Sequence, residues 1–278
     1  MVGNWMGRSP RHHSRCSRLV LARTRKPFTR RDTLGLAATT LAATAIRTPR
    51  AAAAETIEVV AFDAFPIFDP RPIFAGLEKM VPGRGKALGE LWHTRQFEYT
   101  WLRTAAAEYE DFWKVTRDAL DYASQALKVE FTAQQADEIM NTYLGLRPWP
   151  DARAALDKLR DSGRRLGFLS NFTPKMLQSG IENSDLEGYF EQVLSTDFIG
   201  TFKPDPNTYR MVTDAFDVPV DRILFVPFAG WDMAGAKWFG YETFWVNRLG
   251  LPPEKLGVQT DGMGRNLDDL VTYLQART

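Results

Sequence analysis

The chain has a single cysteine among its 278 residues, Cys16, which lies near the amino terminus. From residue 55 onward there is none, which excludes disulfide bonds and cysteine metal sites from that part of the chain. Long apolar runs are also missing. The one candidate, Leu34–Ile46, is too short and too rich in Ala and Thr to span a bilayer as a permanent helix.

Neither sign of charge dominates the whole chain, but the charges are unevenly divided. Residues 1–54 hold eleven Lys or Arg and one acid, a formal charge of +10, whereas the remainder carries −9. An acidic domain offers no basic field for nucleic acid or for an anionic membrane surface. We therefore expect neither as a partner.

Residues 1–54 have the order of a secretory signal. A basic stretch ending in Arg30 and Arg31 precedes the mild apolar run Leu34–Ile46, and four alanines, 51–54, follow. Paired arginines before a weakly apolar core resemble a twin-arginine signal. We expect export to the periplasm or the cell exterior, with cleavage near Ala54. A disordered basic tail is the alternative.

After residue 55, short apolar runs alternate with helical segments. Runs of this kind are typical of strands that a parallel sheet buries on both faces, and they are 57–62, Leu166–Leu169, Gln192–Ser195, Ile223–Val226 and Thr243–Val246. Helices are predicted over Ala152–Ser162, with Asp151 at its start and Gly163 closing it, and over Asn207–Phe216. The pattern predicts an α/β fold, a doubly wound parallel (Rossmann-like) sheet formed by 55–68 and 151–278.

No convincing strand occurs over 69–150, which predicts an inserted helical cap. An apolar stripe at helical spacing consists of Leu88, Leu91, Trp92, Tyr99 and Leu102. Eight aromatic residues lie between Trp92 and Tyr122. Most of them are expected in the core of the cap, and a few near the sheet edge as walls of an apolar pocket.

Polar residues follow several of the predicted strands. Asp63 follows the first strand, Ser170 and Asn171 the second, and Asp232 comes six residues after Val226, while Lys203 lies in a loop before Pro204. Ligands bind at the carboxyl edge of such sheets, where a carboxylate can act as a nucleophile. Ser170 and Asn171 are also expected to cap a helix, and Asp232 is a candidate cap of the helix that it opens.

These residues and their surroundings resemble the haloacid dehalogenase superfamily, within it the L-2-haloacid dehalogenase (type II) branch. The resemblance covers essentially everything after residue 55. Its motifs are Phe62-Asp63-Ala64-Phe65, Leu91-Trp92 with 96–103, Leu169-Ser170-Asn171, Lys203-Pro204-Asp205 with Tyr209, and Trp231-Asp232 with 233–236.

The resemblance implies a two-step displacement without a metal or cofactor on a small molecule such as a 2-halocarboxylate. Asp63 would form an ester that water hydrolyses, and Lys203 would keep Asp63 ionised and positioned. Ser170 and Asp232 complete the expected catalytic set. The residues expected to bind substrate carboxylate or halide are Ala64, Phe65, His93, Asn171, Tyr209 and Trp231. A homodimer is compatible with the resemblance. Whether the cap mediates the dimer contact stays open.

The sequence departs from the family pattern around this site. Phe65, Pro66 and Ile67 stand where the family has Tyr, Gly and Thr, and His93 stands where it has an arginine that gathers the halide and carboxylate. Two serines and an asparagine are replaced by 227–229, a Pro-Phe-Ala run. Losing one preorganised donor typically costs about 10²- to 10³-fold in rate.

Three functions therefore stay open: a dehalogenase, a hydrolase of the same fold acting on another electrophile such as a phosphate ester, and a binding protein without catalysis. Against the second, Phe65 stands where the phosphatase branch has its general acid, and a phenyl ring cannot donate a proton.

Overall fold

In the computed structural model, the residues described are 56–277. A parallel sheet of six strands forms the centre, in the order β3-β2-β1-β4-β5-β6. The strands are β1 (Val59–Phe62), β2 (Arg165–Ser170), β3 (Gln192–Ser195), β4 (Ile223–Val226), β5 (Glu242–Val246) and β6 (Gly262–Gly264). The predicted α/β fold class is confirmed.

Five of the six strands coincide closely with the predicted apolar runs, and β6 was missed. β6 is a Gly-Met-Gly segment that pairs in parallel with β5, and its methionine is exposed. An edge strand without a buried apolar run gives no hydrophobic signal, so its pairing depends on tertiary contacts alone.

The register brings the ends of three central strands together. Phe62, the last residue of β1, pairs with Phe168 of β2 and with Val226, the last residue of β4. Since parallel strands point the same way, Asp63 and Ser170 meet at the same carboxyl edge, and the loop after β4 leaves from it.

The helices outside the 69–150 segment flank the sheet. They are α1 (Ala64–Ile67), α6 (Ala152–Asp161), α7 (Pro174–Asn183), α8 (Pro206–Phe216), α9 (Gly230–Phe239) and α10 (Leu267–Gln275). The predicted helices over 152–162 and 207–216 correspond to α6 and α8. Gly163 adopts a positive φ of 81° just after α6, as expected of a glycine that closes a helix.

The 69–150 segment is helical. It holds α2 (Arg71–Met80), α3 (Gly85–Ala106), α4 (Phe112–Ala126) and α5 (Ala133–Asn141). At its two ends the chain pairs with itself, because Phe68 and Pro148 form an antiparallel bridge and Asp69 N donates to Arg147 O at 2.8 Å. The exact limits of the cap as a domain stay a prediction.

The apolar stripe predicted on α3 is partly wrong. Leu88 and Trp92 are buried, but Leu102 is 63% exposed. The buried face continues instead through Gln96 and Thr100, four and eight residues after Trp92. Gln96 Nε2 donates to Thr116 Oγ1 at 2.6 Å, so the polar side chain is satisfied inside the helical segment.

The predicted helix caps also need correction. Thr173, rather than Ser170 or Asn171, caps α7 by accepting from Met176 N. Ala229, rather than Asp232, is the N-cap residue of α9. Asp151 precedes α6 but makes no capping bond; its carboxylate accepts from Arg248 instead.

Candidate active site

Asp63 lies at the junction of β1 and α1. Its side chain is 13% exposed, and it is the N-cap residue of α1, where its Oδ2 accepts from Phe65 N at 3.3 Å. Its other oxygen, Oδ1, accepts from Lys203 Nζ at 2.9 Å and from Ser170 Oγ at 3.3 Å. Oδ2 is the less occupied oxygen, and it is therefore the better placed for nucleophilic attack.

Lys203 is buried, and its ammonium group is fully used. Nζ donates to Asp63 Oδ1 at 2.9 Å, to Asp232 Oδ2 at 2.6 Å and to Leu169 O at 3.2 Å. Burial alone would lower the pKa of Lys203, but the carboxylates of Asp232 and Asp63 outweigh it and raise the pKa above its ordinary value. Lys203 is therefore a fixed cation, with no remaining N–H to bind a substrate.

Asp232 supports Lys203 from α9. Both of its oxygens are occupied, because Oδ2 accepts from Lys203 and Oδ1 accepts from Tyr209 Oη at 2.8 Å. Burial raises the pKa of Asp232 to about 6, although the charge of Lys203 acts in the opposite direction. Tyr209 has no exposed surface. It lies behind Asp232, so its expected contact with substrate stays a prediction, whereas its support of Asp232 is observed.

Ser170 and Asn171 follow β2 and serve the site in different ways. Ser170 Oγ donates to Asp63 and accepts from Phe172 N at 3.2 Å. Asn171 Oδ1 accepts from Lys203 N at 3.0 Å and from Thr196 Oγ1 at 3.3 Å, which fixes the orientation of the amide. Asn171 Nδ2 is buried without a hydrogen-bond partner among the described residues. An unpaired buried donor is costly and suits an anionic ligand.

His93 lies at the mouth of an apolar cavity of about 270 Å³. The residue has exposed surface there, yet Phe97 and Phe74, with ring centroids 4.9 and 6.3 Å away, surround the imidazole enough to lower its pKa. A neutral imidazole cannot replace the positive charge of the expected arginine. Arg95 does not replace it either, since it pairs with Glu98 at 2.7 Å and stacks on Tyr122.

The same cavity reaches α1, the helix that Asp63 caps, through Phe65. It is predominantly apolar, and its walls are Phe65, Pro70, Arg71, Ile73, Phe74, Glu90, His93, Tyr143, Phe228 and Leu249. Phe65 and Phe228 are two of the positions where the expected polar residues are missing, and their rings lie 5.8 Å apart. At these two positions the departures from the family pattern thus contribute aromatic rings to the cavity wall.

Trp231 packs against the helical segment. Its ring lies 5.2 Å from that of Phe97 and 5.5 Å from that of Trp101. Phe97 and Trp101 follow His93 at intervals of four along α3, so the three form one aromatic face. Trp231 also lines a second apolar cavity, of about 670 Å³, together with Trp101, Pro204 and Trp238.

The backbone after Asp63 tolerates the departures seen there. Pro66 is the third residue of α1, where a helix has no internal acceptor for an N–H, so proline removes no helical bond. Phe65 N donates to Asp63 itself, so to hold a substrate carboxylate it would have to share or exchange this bond. The substrate contacts expected of Ala64 and Phe65 stay predictions.

Sequence reasoning missed two residues that contact α1, the helix after Asp63. Trp149 Nε1 donates to Phe65 O at 2.9 Å, and Arg248 Nη2 donates to Pro66 O at 3.0 Å. Arg248 comes two residues after the last residue of β5. The rule that led to Asp63, a polar residue just after a parallel strand, would have identified Arg248 as well.

Among residues 56–277, no three His, Cys, Asp or Glu side chains come together as a set that could hold a metal ion. None of the helices in this range is long and apolar enough to cross a membrane.

A family comparison identifies the kind of protein to which this chain belongs. The model of the haloacid dehalogenase-like hydrolases matches residues 30–240. The chain belongs to the haloacid dehalogenase-like hydrolase family. Within this family it is similar to haloacetate dehalogenase H-2 of Moraxella sp. (strain B), at 37% identity over 221 residues, which are 79% of this chain and 98% of the relative. It is also 38% identical to the (S)-2-haloacid dehalogenase of Xanthobacter autotrophicus, over 69% of this chain and 76% of the relative.

Solved structures of haloacid dehalogenases have the same fold. One L-2-haloacid dehalogenase is 40% identical with a TM-score of 0.78, over 79% of this chain and 99% of that one. The Xanthobacter autotrophicus enzyme with chloropropionic acid covalently bound is 31% identical with a TM-score of 0.74, over 80% of this chain and 100% of that one.

Proposed function

We propose that the protein hydrolyses the carbon–halogen bond of a small 2-halocarboxylate, with Asp63 as the nucleophile. The observation that carries this proposal is the hydrogen bond of 2.9 Å between Lys203 Nζ and Asp63 Oδ1 at the strand edge. The haloacid dehalogenase names of relatives more than 30% identical supply the substrate class. The apolar cavity of about 270 Å³ beside Phe65 is just below the roughly 300–1,000 Å³ of pockets for drug-sized ligands, which suits a small substrate.

In the first step, Asp63 Oδ2 attacks C2 of the substrate opposite the halogen. The new bond joins Oδ2 to C2, while the carbon–halogen bond breaks and the halide leaves with its electron pair. In the second step, water attacks the carboxyl carbon of the ester. The bond between that carbon and Oδ2 breaks, the product is a 2-hydroxy acid, and one proton is released to solvent. In-line displacement inverts the configuration at C2.

The described residues have different roles in this reaction. Lys203 fixes Asp63 Oδ1 and leaves Oδ2 available, and Asp232 with Tyr209 fixes Lys203. The unpaired Asn171 Nδ2 is the donor that we assign to the anionic substrate or the departing halide. Trp231 adds an indole wall that excludes water from the halide.

The test is halide release from (S)-2-chloropropionate by the purified protein. The proposal expects chloride and 2-hydroxypropionate in equal amounts, with no release by the Asp63→Asn variant. Mass spectrometry of a rapidly quenched mixture is expected to find the mass of the substrate's 1-carboxyethyl group, bonded through C2, on the peptide that contains Asp63. Chloride release no greater than that of Asp63→Asn would reject the proposal.

The same samples separate the two alternatives. Magnesium-dependent turnover of a generic aryl phosphate would indicate a phosphohydrolase. A ligand-induced rise in melting temperature that survives Asp63→Asn, without any turnover, would indicate a binding protein.

Export is a separate part of the proposal. We infer from the basic stretch, the Arg30-Arg31 pair and the mild apolar run 34–46 that residues 1–54 act as a twin-arginine-like signal. These residues lie outside the described range. In a host with this pathway, changing Arg30 and Arg31 to Lys is expected to retain the protein in the cytoplasm, whereas changing Arg23 and Arg25 to Lys is not. Equal periplasmic fractions in both variants would exclude this route.

A homodimer is also proposed. Neighbouring side chains on α3 expose apolar surface, since Trp101 is 38% and Leu102 is 63% exposed. Light scattering during size-exclusion chromatography is expected to give twice the chain mass, and Leu102→Glu to lower it. A monomer at every concentration would exclude the dimer.

A further inference from the structure

The short helix that carries the nucleophile is held from outside. The last four carbonyl groups of a helix have no internal partner, and α1 has only four residues. Only Ala64 O accepts from the chain just after the helix, from Phe68 N at 2.8 Å. The other three carbonyls depend on two residues far along the chain: Trp149 Nε1 donates to Phe65 O, Arg248 Nη2 to Pro66 O, and Trp149 N to Ile67 O, at 2.9, 3.0 and 2.9 Å.

Arg248 is itself fixed. Its two terminal nitrogens donate to the two oxygens of Asp151 at 3.0 and 2.9 Å, and its side chain is 7% exposed. Burial would raise the pKa of Asp151, but hydrogen bonds from Arg248 and Leu267 N lower it below its ordinary value. A bidentate pair of this kind holds the plane of the guanidinium, and with it the direction of the N–H that reaches Pro66 O.

Trp149 is held on several sides. Its backbone lies in the second of the two linkers that join the helical segment to the sheet, next to the bridge between Phe68 and Pro148. The guanidinium carbons of Arg248 and Arg71 lie 4.4 and 4.5 Å from its ring. Two stacked cations and a buried position leave the indole little freedom to move.

We infer that Trp149 and Arg248 are positioning residues for Asp63, acting through the carbonyl groups of α1. A four-residue helix has no stability of its own, so its orientation comes from its partners. Asp63 caps this helix by accepting from Phe65 N. A shift of α1 therefore moves Oδ2 relative to the bound substrate, while Lys203 still holds Oδ1. The effect on rate rests on the proposed function; the effect on α1 does not.

Trp149→Phe tests the inference, because it keeps an aromatic ring at this position and removes the Nε1–H together with the pyrrole part of the indole. The matched control is Trp92→Phe, which removes a bond of the same kind, from a buried indole to Thr116 O at 2.8 Å, within the helical segment. Misplacement of reacting atoms is expected to lower kcat on the order of 10- to 100-fold, with KM changed less than about twofold. Hydrogen exchange of the peptide spanning 64–68 is expected to accelerate in Trp149→Phe alone, and that of β5 to stay unchanged.

A second variant covers the case in which Trp149→Phe does not fold. Arg248→Lys keeps a cation beside Asp151 but replaces the planar fork of two nitrogens with one ammonium on a shorter, more flexible side chain. The direction of the N–H that reaches Pro66 O is then no longer fixed, so this variant is expected to give the same pattern. Equal exchange at 64–68 in wild type and in both variants would overturn the inference. Faster exchange there, in a protein that releases no halide, would support the anchoring of α1 and reject only the proposed function.

Discussion

Lys203 Nζ lies 2.9 Å from Asp63 Oδ1 and 2.6 Å from Asp232 Oδ2, so one buried cation bridges two carboxylates. The nearly complete burial of Lys203 and Asp232 makes each charge dependent on the others.

Lys203→Met is expected to lower the free energy of unfolding by about 3 to 5 kcal/mol at pH 7, because it leaves two adjacent carboxylates without a counter-charge. The loss should be smaller at pH 5 than at pH 8, since protonation relieves the repulsion. In the wild type the raised pKa of Lys203 means that its contribution is fully present at neutral pH and is lost only above its unfolded pKa, near 10.5. Urea unfolding at the two pH values measures this; an equal loss at both would contradict it.

Halide release is expected to fall as the pH drops through about 6, the pKa to which burial raises Asp232. When Asp232 is protonated, Asp63 is the only carboxylate left to pair with the charge of Lys203. The stronger pairing makes the Asp63 carboxylate less nucleophilic. Burial lowers the pKa of His93, and its titration could also affect the rate, so the profile is compared with that of His93→Gln. The fall near pH 6 should persist in that variant. Its disappearance would assign it to His93 instead.

His93→Arg is expected to raise the rate of halide release about tenfold or more, because one added donor to the developing anion typically contributes about 10²-fold when preorganised. The residue lies at a cavity mouth with exposed surface, so the longer side chain has room. Thr94→Arg, on the adjacent exposed position, is the control. Equal rates in the two variants would show that a guanidinium at position 93 does not reach the site.

Ala229→Asn is expected to stabilise the fold by about 1 kcal/mol, because Ala229 is the N-cap residue of α9 and makes no side-chain capping bond. The family pattern also has asparagine here, so halide release should increase. Thermal unfolding and chloride assays measure both effects. Ala229→Leu, whose side chain cannot accept a capping hydrogen bond, should increase neither the stability nor the halide release.

Gly235→Ala is expected to destabilise the protein by about 1 to 3 kcal/mol through overpacking. A Cβ at Gly235 would lie 2.3 Å from Tyr209 Oη and 2.8 Å from Pro204 Cβ, so it would push on the tyrosine that holds Asp232 and on the residue that follows Lys203. Halide release should fall with stability. Gly76→Ala, where no atom lies within 4 Å of the added Cβ, is the control and should leave both unchanged or slightly improved.

The sequence predicts the parts of this fold that depend on local pattern. Buried parallel strands are apolar runs, so β3 and β4 were predicted residue for residue, and polar residues after strands pointed to Asp63 and Ser170. The stripe on α3 failed because Gln96 and Thr100 occupy buried positions, where Gln96 donates to Thr116 of α4 and Thr100 to Phe97 O of α3 itself. A rule based on hydrophobic periodicity cannot recognise a buried polar side chain, such as Gln96, whose hydrogen-bond partner is distant in the sequence.

The proximity of Lys203 to Asp63 could be predicted from the sequence, whereas the network of hydrogen bonds around them could not. Lys203 was expected within hydrogen-bond reach of Asp63, and it lies there. Lys203 donates all three of its N–H groups to protein acceptors, and Trp149 and Arg248 hold α1. Both arrangements depend on side-chain directions that only packing fixes, so the sequence does not reveal them.

The paired linkers have a consequence for how substrate enters. Swinging the helical segment away from the sheet would break the bond from Asp69 N to Arg147 O, and it would pull on Trp149, whose backbone and indole both hold α1. Opening of that kind would displace α1 and, with it, Asp63. If substrate and halide instead pass through local motion of exposed side chains that line the cavity, such as His93, Phe74 and Leu249, Asp63 would keep its position throughout the cycle.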